Sequence, residues 1–151
     1  MTPCSTIHPD FIALIRQLDQ ELNHRYGKAQ ADYDAYNVMD DIPTALVAYE
    51  KERPVACGCF KEISQNTVEI KRMFVHKEYR SQGMGSALLK ELEAWAARLD
   101  FTLARLETGK GQPEAVAMYK KAGYSIIPNY GPYKEMDNSV CMEKKISSDH
   151  D

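Results

Sequence analysis

Long apolar stretches are missing from this sequence. A membrane-spanning helix needs about 20 consecutive apolar residues, and no apolar run here approaches that length. Residues 1–10 also lack the basic region and apolar stretch that together form a secretory signal. These absences argue against membrane and secreted classes, and we expect a cytoplasmic protein with no membrane partner.

A strong charge of one sign is also missing. The chain has 19 basic and 22 acidic residues, with a net charge of −3. Domains that bind nucleic acid usually carry a cluster of Lys and Arg, and no such cluster occurs, so we expect no nucleic-acid partner. With 151 residues, 44% hydrophobic, the chain predicts one globular domain over residues 1–146 and a disordered tail over 147–151.

Cysteine and histidine are few and show no metal-ligand spacing. Zinc sites usually pair ligands two residues apart, with a second pair at matching spacing. Cys57 and Cys59 instead alternate along a predicted strand, and no His occupies a matching position. The sequence therefore predicts buried free thiols and no metal site.

Hydrophobic periodicity predicts an alternation of helices and strands. An amphipathic helix, with Asp10 at its start and Gly27 at its end, precedes a weaker helix over Gln30–Tyr36. Three strands joined by short connections follow, so they should form an antiparallel meander. The remaining pattern predicts a helix, a strand parallel to the third, a helix and two more strands. The predicted strands are Thr44–Glu50, Val55–Lys61, Thr67–Val75, Phe101–Thr108, Tyr124–Ile127 and Ser139–Lys145, and the two later helices are Met84–Leu99 and Pro113–Gly123.

The third strand changes the parity of its apolar positions. Val68 and Ile70 share one face, whereas Met73 and Val75 share the other. A strand with one buried face can switch parity only by inserting an extra residue, which predicts a β-bulge near Lys71-Arg72. Burial of both faces is the alternative explanation.

A glycine-containing loop separates this strand from the next helix. Gly83 and Gly85 let the backbone turn tightly and approach a ligand, and the helix N-terminus that follows offers unpaired N–H groups to an anion. The P-loop motif is excluded because no Gly-Lys-Ser/Thr triplet occurs. The dinucleotide motif is excluded because Leu88 stands where its third glycine belongs.

The motif Arg80-x-x-Gly83-x-Gly85 after a bulged strand resembles the GNAT superfamily of N-acetyltransferases, as does the segment around Tyr119. The resemblance covers about residues 44–146 and implies a single-domain α/β fold with a mixed, mostly antiparallel sheet, a bulged central strand and helices on both faces. It implies acetyl-CoA as co-substrate, with the pantetheine arm on the backbone of Met73, Phe74 and Val75. The pyrophosphate would be held by Arg80, Ser81, Gln82, Gly83, Met84, Gly85 and Ser86. Ser81 and Gln82 depart from the glycine and basic residue of many members, so the loop should rely more on Arg80 and on backbone N–H groups.

The resemblance also implies catalytic roles. Tyr119 would protonate the departing thiolate, unless it only packs in the core. Gln112 would contact the cofactor or merely cap its helix poorly. Glu69 would accept the amine's proton. The alternatives are water as the base and a surface glutamate paired with Lys71 or a neighbouring strand. Tyr130 and Tyr133 would hold the amine, or merely cover the core.

The function implied is transfer of an acetyl group from acetyl-CoA to a primary amine of a small molecule, amino acid or protein. A non-catalytic acyl-CoA-binding module of the same fold and a protein-interaction module are the alternatives, because fold alone does not establish activity. The acceptor cannot be read from the sequence. The oligomeric state cannot be read from the sequence either; a homodimer is one possibility, because dimers are common among proteins that resemble this one.

Overall fold

The computed structural model of the chain describes residues 1–26 and 41–146. These fall into two compact units, Met1–Phe60 with Arg72–Leu92 (unit 1) and Lys61–Lys71 with Glu93–Asp151 (unit 2). The predicted helix over Gln30–Tyr36, the predicted helix end at Gly27 and the predicted tail over 147–151 lie outside the described residues.

Seven strands and three helices form the described part of the chain. Their order is β1 (Thr2–Cys4), α1 (Pro9–Tyr26), β2 (Ala45–Glu50), β3 (Arg53–Ser64), β4 (Thr67–Val75), α2 (Met84–Arg98), β5 (Leu103–Gly109), α3 (Pro113–Lys121), β6 (Ser125–Ile127) and β7 (Ser139–Lys145). The predicted elements that fall on described residues are confirmed, with ends shifted by a few residues. Strand β1 was not predicted, because three residues are too few for a periodic signal and the strand depends on its pairing with β2.

The strands follow the order β1-β2-β3-β4-β5-β7-β6 in a mixed sheet. Strands β4 and β5 are parallel, as expected for two strands joined through a helix, and β5 pairs antiparallel with β7. In unit 1, β2 pairs antiparallel with both β1 and β3. The predicted mixed, mostly antiparallel arrangement is therefore confirmed.

Helices pack against both faces of β3 in unit 1. On one face, Cys57 and Cys59 lie fully buried in a cluster with Phe11 and Leu14 of α1. On the other, a Cβ added at Gly58 would lie 3.0 Å from a side-chain atom of Leu92 in α2. All four cysteines are free thiols, and those of β3 act as small core residues, as predicted.

Strand β4 is irregular where the parity of its sequence changes. Its parallel pairs with β5 run from Thr67 to Ile70, and Arg72 then adopts a φ of 58°. That left-handed conformation is uncommon for a non-glycine residue and interrupts the strand's regular pleat. The Arg72 side chain is anchored by Asp19, with 3.0 Å between Nη1 and Oδ1. The predicted irregularity is therefore present within one residue of Lys71.

The two faces of the unit 2 sheet differ in polarity. Buried apolar side chains on one face come from β4, β5 and β7: Val68, Ile70, Ala104, Leu106 and Met142. The other face carries Glu69, Lys71, Arg105, Glu107 and Glu143, which share strand parity in the observed registers and are called here the polar face. Of the helices described, none is both long and apolar enough to cross a membrane.

Candidate active site

The loop before α2 has the geometry of an anion-binding turn. Gly83 has a φ of +82°, and a Cβ built there would meet no atom within 4 Å. The glycine is therefore required for its backbone conformation and not to avoid a clash inside the protein. Helix α2 starts at Met84, has 15 residues and carries no acidic residue in its first turn. Its N-terminal N–H groups and helix dipole favour an anion at this end.

Ser81 departs from the family pattern at a position where glycine has a physical advantage. Its φ is 64°, in the left-handed region that costs an L-residue about 1–2 kcal/mol. Gln82 is exposed, and its side-chain amide donates to the Glu78 carbonyl at 3.3 Å. Gly85 is the second residue of α2, and Ser86 is the exposed third residue.

The guanidinium of Arg80 is already held by groups of unit 1. Its Nε donates to the Val75 carbonyl at 2.8 Å, and Nη2 lies 2.7 Å from each carboxylate oxygen of Glu21. The guanidinium also lies over the Phe74 ring, 5.6 Å from the centroid. Because the Val75 carbonyl is hydrogen-bonded to Arg80, the predicted role of Val75 toward pantetheine concerns its N–H. A phosphate bound at Arg80 would have to compete with Glu21.

Strand β4 continues through Met73, Phe74 and Val75 after the irregular residue. Phe74 is buried in the cluster that includes Phe11, whereas Met73 and Val75 are half-buried. These three residues follow Ile70, which is the last residue of β4 paired with β5. Backbone groups at such a position are suited to bind an extended ligand.

Glu69 is a buried carboxylate of the polar face with three partners. The Tyr130 hydroxyl donates to Oε2 at 2.7 Å, and the Lys71 ammonium lies 3.5 Å from Oε1. The Tyr133 phenol also interacts with this carboxylate, whose charge raises the pKa of Tyr133 in addition to the effect of burial. Glu69 is only 5% exposed, so the alternative of a surface glutamate is wrong. The ion pair with Lys71 that formed part of that alternative is present.

Tyr130 and Tyr133 cover this carboxylate from the loop between β6 and β7. Their rings meet edge to face at 5.6 Å, and the Arg105 guanidinium lies 5.2 Å from the Tyr130 centroid. Burial, followed by the Glu69 charge, raises the pKa of both phenols. Both hydroxyls therefore stay protonated and act as donors at neutral pH.

Glu107, a second carboxylate of the polar face, has different surroundings. Its Oε2 accepts a 2.8 Å hydrogen bond from the Ser139 hydroxyl. The pKa of Glu107 is raised to about 7, chiefly by burial. The Ser139 hydrogen bond opposes this rise, the nearby charge of Glu69 adds to it, and the charge of Lys71 opposes it. A carboxyl group with this pKa can accept or release a proton near neutral pH.

Tyr119 is buried on α3, where its ring meets that of Tyr124 edge to face at 5.8 Å. Burial, then the charge of Glu107, raises the pKa of the Tyr119 phenol. Gln112 is the N-cap residue of α3 and makes no side-chain capping hydrogen bond. Its position fits the poor cap that was one of its two interpretations.

The predicted residues therefore form two groups, each within one unit. Unit 1 contains the loop from Arg80 to Ser86 and the segment from Met73 to Val75, and unit 2 contains the predicted catalytic and acceptor-binding residues Glu69, Tyr119, Tyr130 and Tyr133. No group of three or more His, Cys, Asp or Glu side chains is placed to hold a metal ion within residues 1–26 and 41–146.

Sequence reasoning missed Glu107 and Glu21. Arg105 and Glu107 alternate with buried apolar residues on a strand that is paired on both sides. Charges on one face of such an internal strand need partners, and this signal could have identified Glu107. No local signal marks Glu21, because its contact with Arg80 joins residues 59 apart in the chain.

The chain is similar to known acetyltransferases. The sequence model of the Acetyltransferase (GNAT) family matches residues 11–124. A protein of Azospirillum brasilense named IAA acetyltransferase is 30% identical over 145 residues, which cover 94% of each chain. A Klebsiella pneumoniae structure assigned as an acyl-CoA N-acyltransferase has 30% identity and a TM-score of 0.78, covering 96% of this chain and 95% of that one. The PaiA N-acetyltransferase of Thermoplasma acidophilum, solved with coenzyme A, is similar in fold, with a TM-score of 0.59 at 20% identity over 86% of this chain and 78% of its own.

Proposed function

This chain belongs to the Acetyltransferase (GNAT) family, and on that premise we propose that it transfers an acetyl group from acetyl-CoA to a primary amine. The amine attacks the thioester directly, with both substrates bound. The acceptor class covers small molecules, amino acids and protein amines. The proposal includes a cytoplasmic location, which suits four free thiols, and one acetyltransferase domain over residues 1–146.

The loop at Gly83 is the observation that carries the proposal. Its left-handed glycine, with open space where a Cβ would stand, leads directly into the N-terminus of a 15-residue helix. Backbone N–H groups at this helix end would hold the pyrophosphate of acetyl-CoA. Ser81, Gln82, Met84, Gly85 and Ser86 complete the proposed cradle, Met73, Phe74 and Val75 would bind the pantetheine arm, and Gln112 is a further proposed contact.

The chemistry requires one proton to leave nitrogen and another to reach sulfur. An alkylamine has a pKa of about 10.4, so the attacking nitrogen must lose its charge before it can react. Tyr119 is the proposed donor to the thiolate, because its buried phenol is protonated at neutral pH and therefore has a proton to give. Glu69 is the proposed acceptor of the amine's proton, with an ordered water as the alternative. Tyr130 and Tyr133 are proposed to contact the amine.

The test is thiol release from acetyl-CoA with a panel of acceptors, followed by mass spectrometry of the products. The panel contains a polyamine, an amino acid amide, an aminoglycoside and a tripeptide with a free N-terminus, and IAA is added because the Azospirillum relative carries it in its name. We expect thiol release together with a product that is about 42 Da heavier than the free amine, because one acetyl group replaces one hydrogen.

Three outcomes separate the candidate functions. Amine-dependent product supports the enzyme. Stabilisation by CoA without thiol release on any amine favours the non-catalytic acyl-CoA-binding module. Neither stabilisation nor thiol release contradicts both and favours an interaction module.

A further inference from the structure

Arg72 has an unusual backbone conformation within β4. Its φ of 58° lies in the left-handed region, which glycine enters without strain but a long side chain enters rarely. Arg72 stands two residues after Ile70, the last residue of β4 paired with β5, and directly before residues 73–75. The direction in which residues 73–75 present their backbone groups therefore depends on the φ of Arg72.

The side chain of Arg72 joins β4 to helix α1. Its Nη1 lies 3.0 Å from Oδ1 of Asp19, and the two side chains are 10% and 38% exposed, respectively. Salt screens a partly buried ion pair less than an exposed one. Loss of one partner would also leave the other charge partly buried without this counter-charge. Asp19 therefore fixes the direction of the Arg72 side chain and, through it, the backbone to which that side chain is attached.

Strand β3 contacts the same part of β4 from both of its faces. The Cys57 thiol donates to the Arg72 carbonyl, with 3.6 Å between sulfur and oxygen, and burial raises the pKa of Cys57, so it keeps this proton. On the other face, a Cβ added at Gly58 would lie 2.5 Å from the sulfur of Met73, so the glycine leaves room for Met73. Because a thiol is a weak donor, the ion pair with Asp19 is the stronger of these two polar contacts of Arg72.

We propose that Asp19 is a positioning residue for acetyl-CoA. Its ion pair with Arg72 holds the left-handed backbone that presents residues 73–75 to the pantetheine arm. The inference rests on the proposed acetyltransferase function and adds a residue of α1 to the support of its cofactor site. It is carried by the 3.0 Å ion pair, by the φ of Arg72 and by the position of Arg72 directly before this segment.

The ion pair acts on binding by preorganising the backbone. Without it, an L-residue at position 72 is more stable outside the left-handed region, and β4 can continue as a regular strand. Acetyl-CoA then binds only the fraction of molecules in which the irregularity forms, and the apparent Kd rises by the inverse of that fraction. The left-handed penalty of one L-residue corresponds to a rise of about 5- to 30-fold.

The test uses substitutions that separate the backbone of Arg72 from its side chain. Arg72→Ala and Arg72→Gly both remove the guanidinium, but only glycine adopts a φ of 58° without strain. Asp19→Asn keeps the shape of aspartate and removes its charge. Asp10→Asn is the matched control, because Asp10 lies on the same helix but accepts a 2.7 Å hydrogen bond from Tyr49 of β2. Isothermal titration calorimetry measures the Kd of CoA for each protein.

For Asp19→Asn and Arg72→Ala we expect the Kd of CoA to rise by about 5- to 30-fold. For Arg72→Gly and Asp10→Asn we expect it to stay close to the wild-type value. The double variant Asp19→Asn/Arg72→Gly should bind CoA as Arg72→Gly does, because a glycine at position 72 no longer needs the ion pair.

Three results overturn the proposal. In the first, Arg72→Gly binds CoA as weakly as Arg72→Ala, so the guanidinium itself matters and not the backbone. In the second, Asp19→Asn binds CoA as tightly as the wild type. In the third, Asp10→Asn and Asp19→Asn lose equal affinity, which indicates a general weakening of α1. If Asp19→Asn does not fold, the comparison of Arg72→Ala with Arg72→Gly decides.

A second measurement observes the backbone and does not depend on binding. Backbone chemical shifts and couplings of residue 72, recorded by NMR without CoA, should give a left-handed φ in the wild type and in Arg72→Gly, and an extended φ in Asp19→Asn. A left-handed φ that persists in Asp19→Asn overturns the inference.

The two proposals fail in different ways. If the wild type binds no CoA, the proposed function fails and the positioning role of Asp19 fails with it. If the wild type binds CoA but acetylates no amine, the proposed function fails and the positioning role, which concerns CoA binding, is decided by the variants. If acetylation occurs and Asp19→Asn binds CoA normally, only the role of Asp19 fails.

Discussion

Gly83→Val tests the proposed pyrophosphate loop through a single backbone position. Gly83 has a φ of +82°, and a Cβ there would meet nothing within 4 Å. Valine would therefore fit inside the unliganded protein, but its branched side chain would project into the space from which a ligand approaches the backbone. We expect the variant to fold and to lose its stabilisation by CoA.

The expected magnitudes allow the two effects to be separated. A left-handed conformation costs an L-residue about 1–2 kcal/mol, a minor part of a typical folding stability of about 5–15 kcal/mol. For a chain of this size we expect the Tm to fall by about 2–8 °C. CoA at 100 times its Kd should raise the Tm of the wild type by about 5–11 °C, because it contributes about 2.7 kcal/mol, and should leave that of Gly83→Val unchanged.

Gly131→Val is the matched control for backbone strain. Gly131 has a φ of +54°, and a Cβ there would also meet nothing within 4 Å. It lies in unit 2, outside the proposed loop, so its valine variant should lose a similar amount of stability but keep the CoA-dependent rise in Tm. Differential scanning fluorimetry with and without CoA measures both quantities. If CoA raises the Tm of Gly83→Val as much as it raises that of the wild type, the assignment of this loop is refuted.

Three further substitutions address other parts of the site. Tyr119→Phe should lower kcat by about 10²-fold with the KM for acetyl-CoA unchanged. The control is Tyr124→Phe, which removes a hydroxyl bonded to a carboxylate on α2. If both variants lower kcat equally, Tyr119 is only a core residue. Glu21→Gln should lower the Kd for CoA by up to about fivefold in calorimetry, because an exposed ion pair is worth at most about 1 kcal/mol. Glu78→Gln is the control. If CoA binds more tightly to Glu78→Gln as well, or no more tightly to Glu21→Gln than to the wild type, Glu21 does not compete with CoA for Arg80. Tyr130→Ala should raise the acceptor's KM and not that of acetyl-CoA, and two unchanged constants would make the loop structural.

Local signals in the sequence determined most of the secondary structure. The amphipathic spacing of α1 and α2 is a pattern of residues close together in the chain. Pro113 at the start of α3 is an equally local signal. The parity change in β4 is equally local, because side chains alternate at every residue of a strand. It placed the irregularity within one residue of Arg72. Strand β1 could not be predicted in this way, since its three residues depend on pairing with β2.

Local signals in the sequence also identified only part of the candidate site. Gly83 could be identified from the sequence, because a glycine before a helix has a backbone meaning that does not depend on the rest of the fold. The contact of Glu21 with Arg80 and that of Tyr130 with Glu69 join residues 59 and 61 apart. Spacing along the chain carries no information about such contacts.

The sequence alone determined that Glu69 and Glu107 lie on strands, but only the tertiary structure decided how they differ. Both are glutamates that alternate with buried apolar residues. Their chemical difference comes from partners that the fold brings to them, a lysine and two phenols in one case and a hydroxyl in the other. The proton affinity of a carboxyl group depends on burial and on nearby charges, and these are properties of the folded chain.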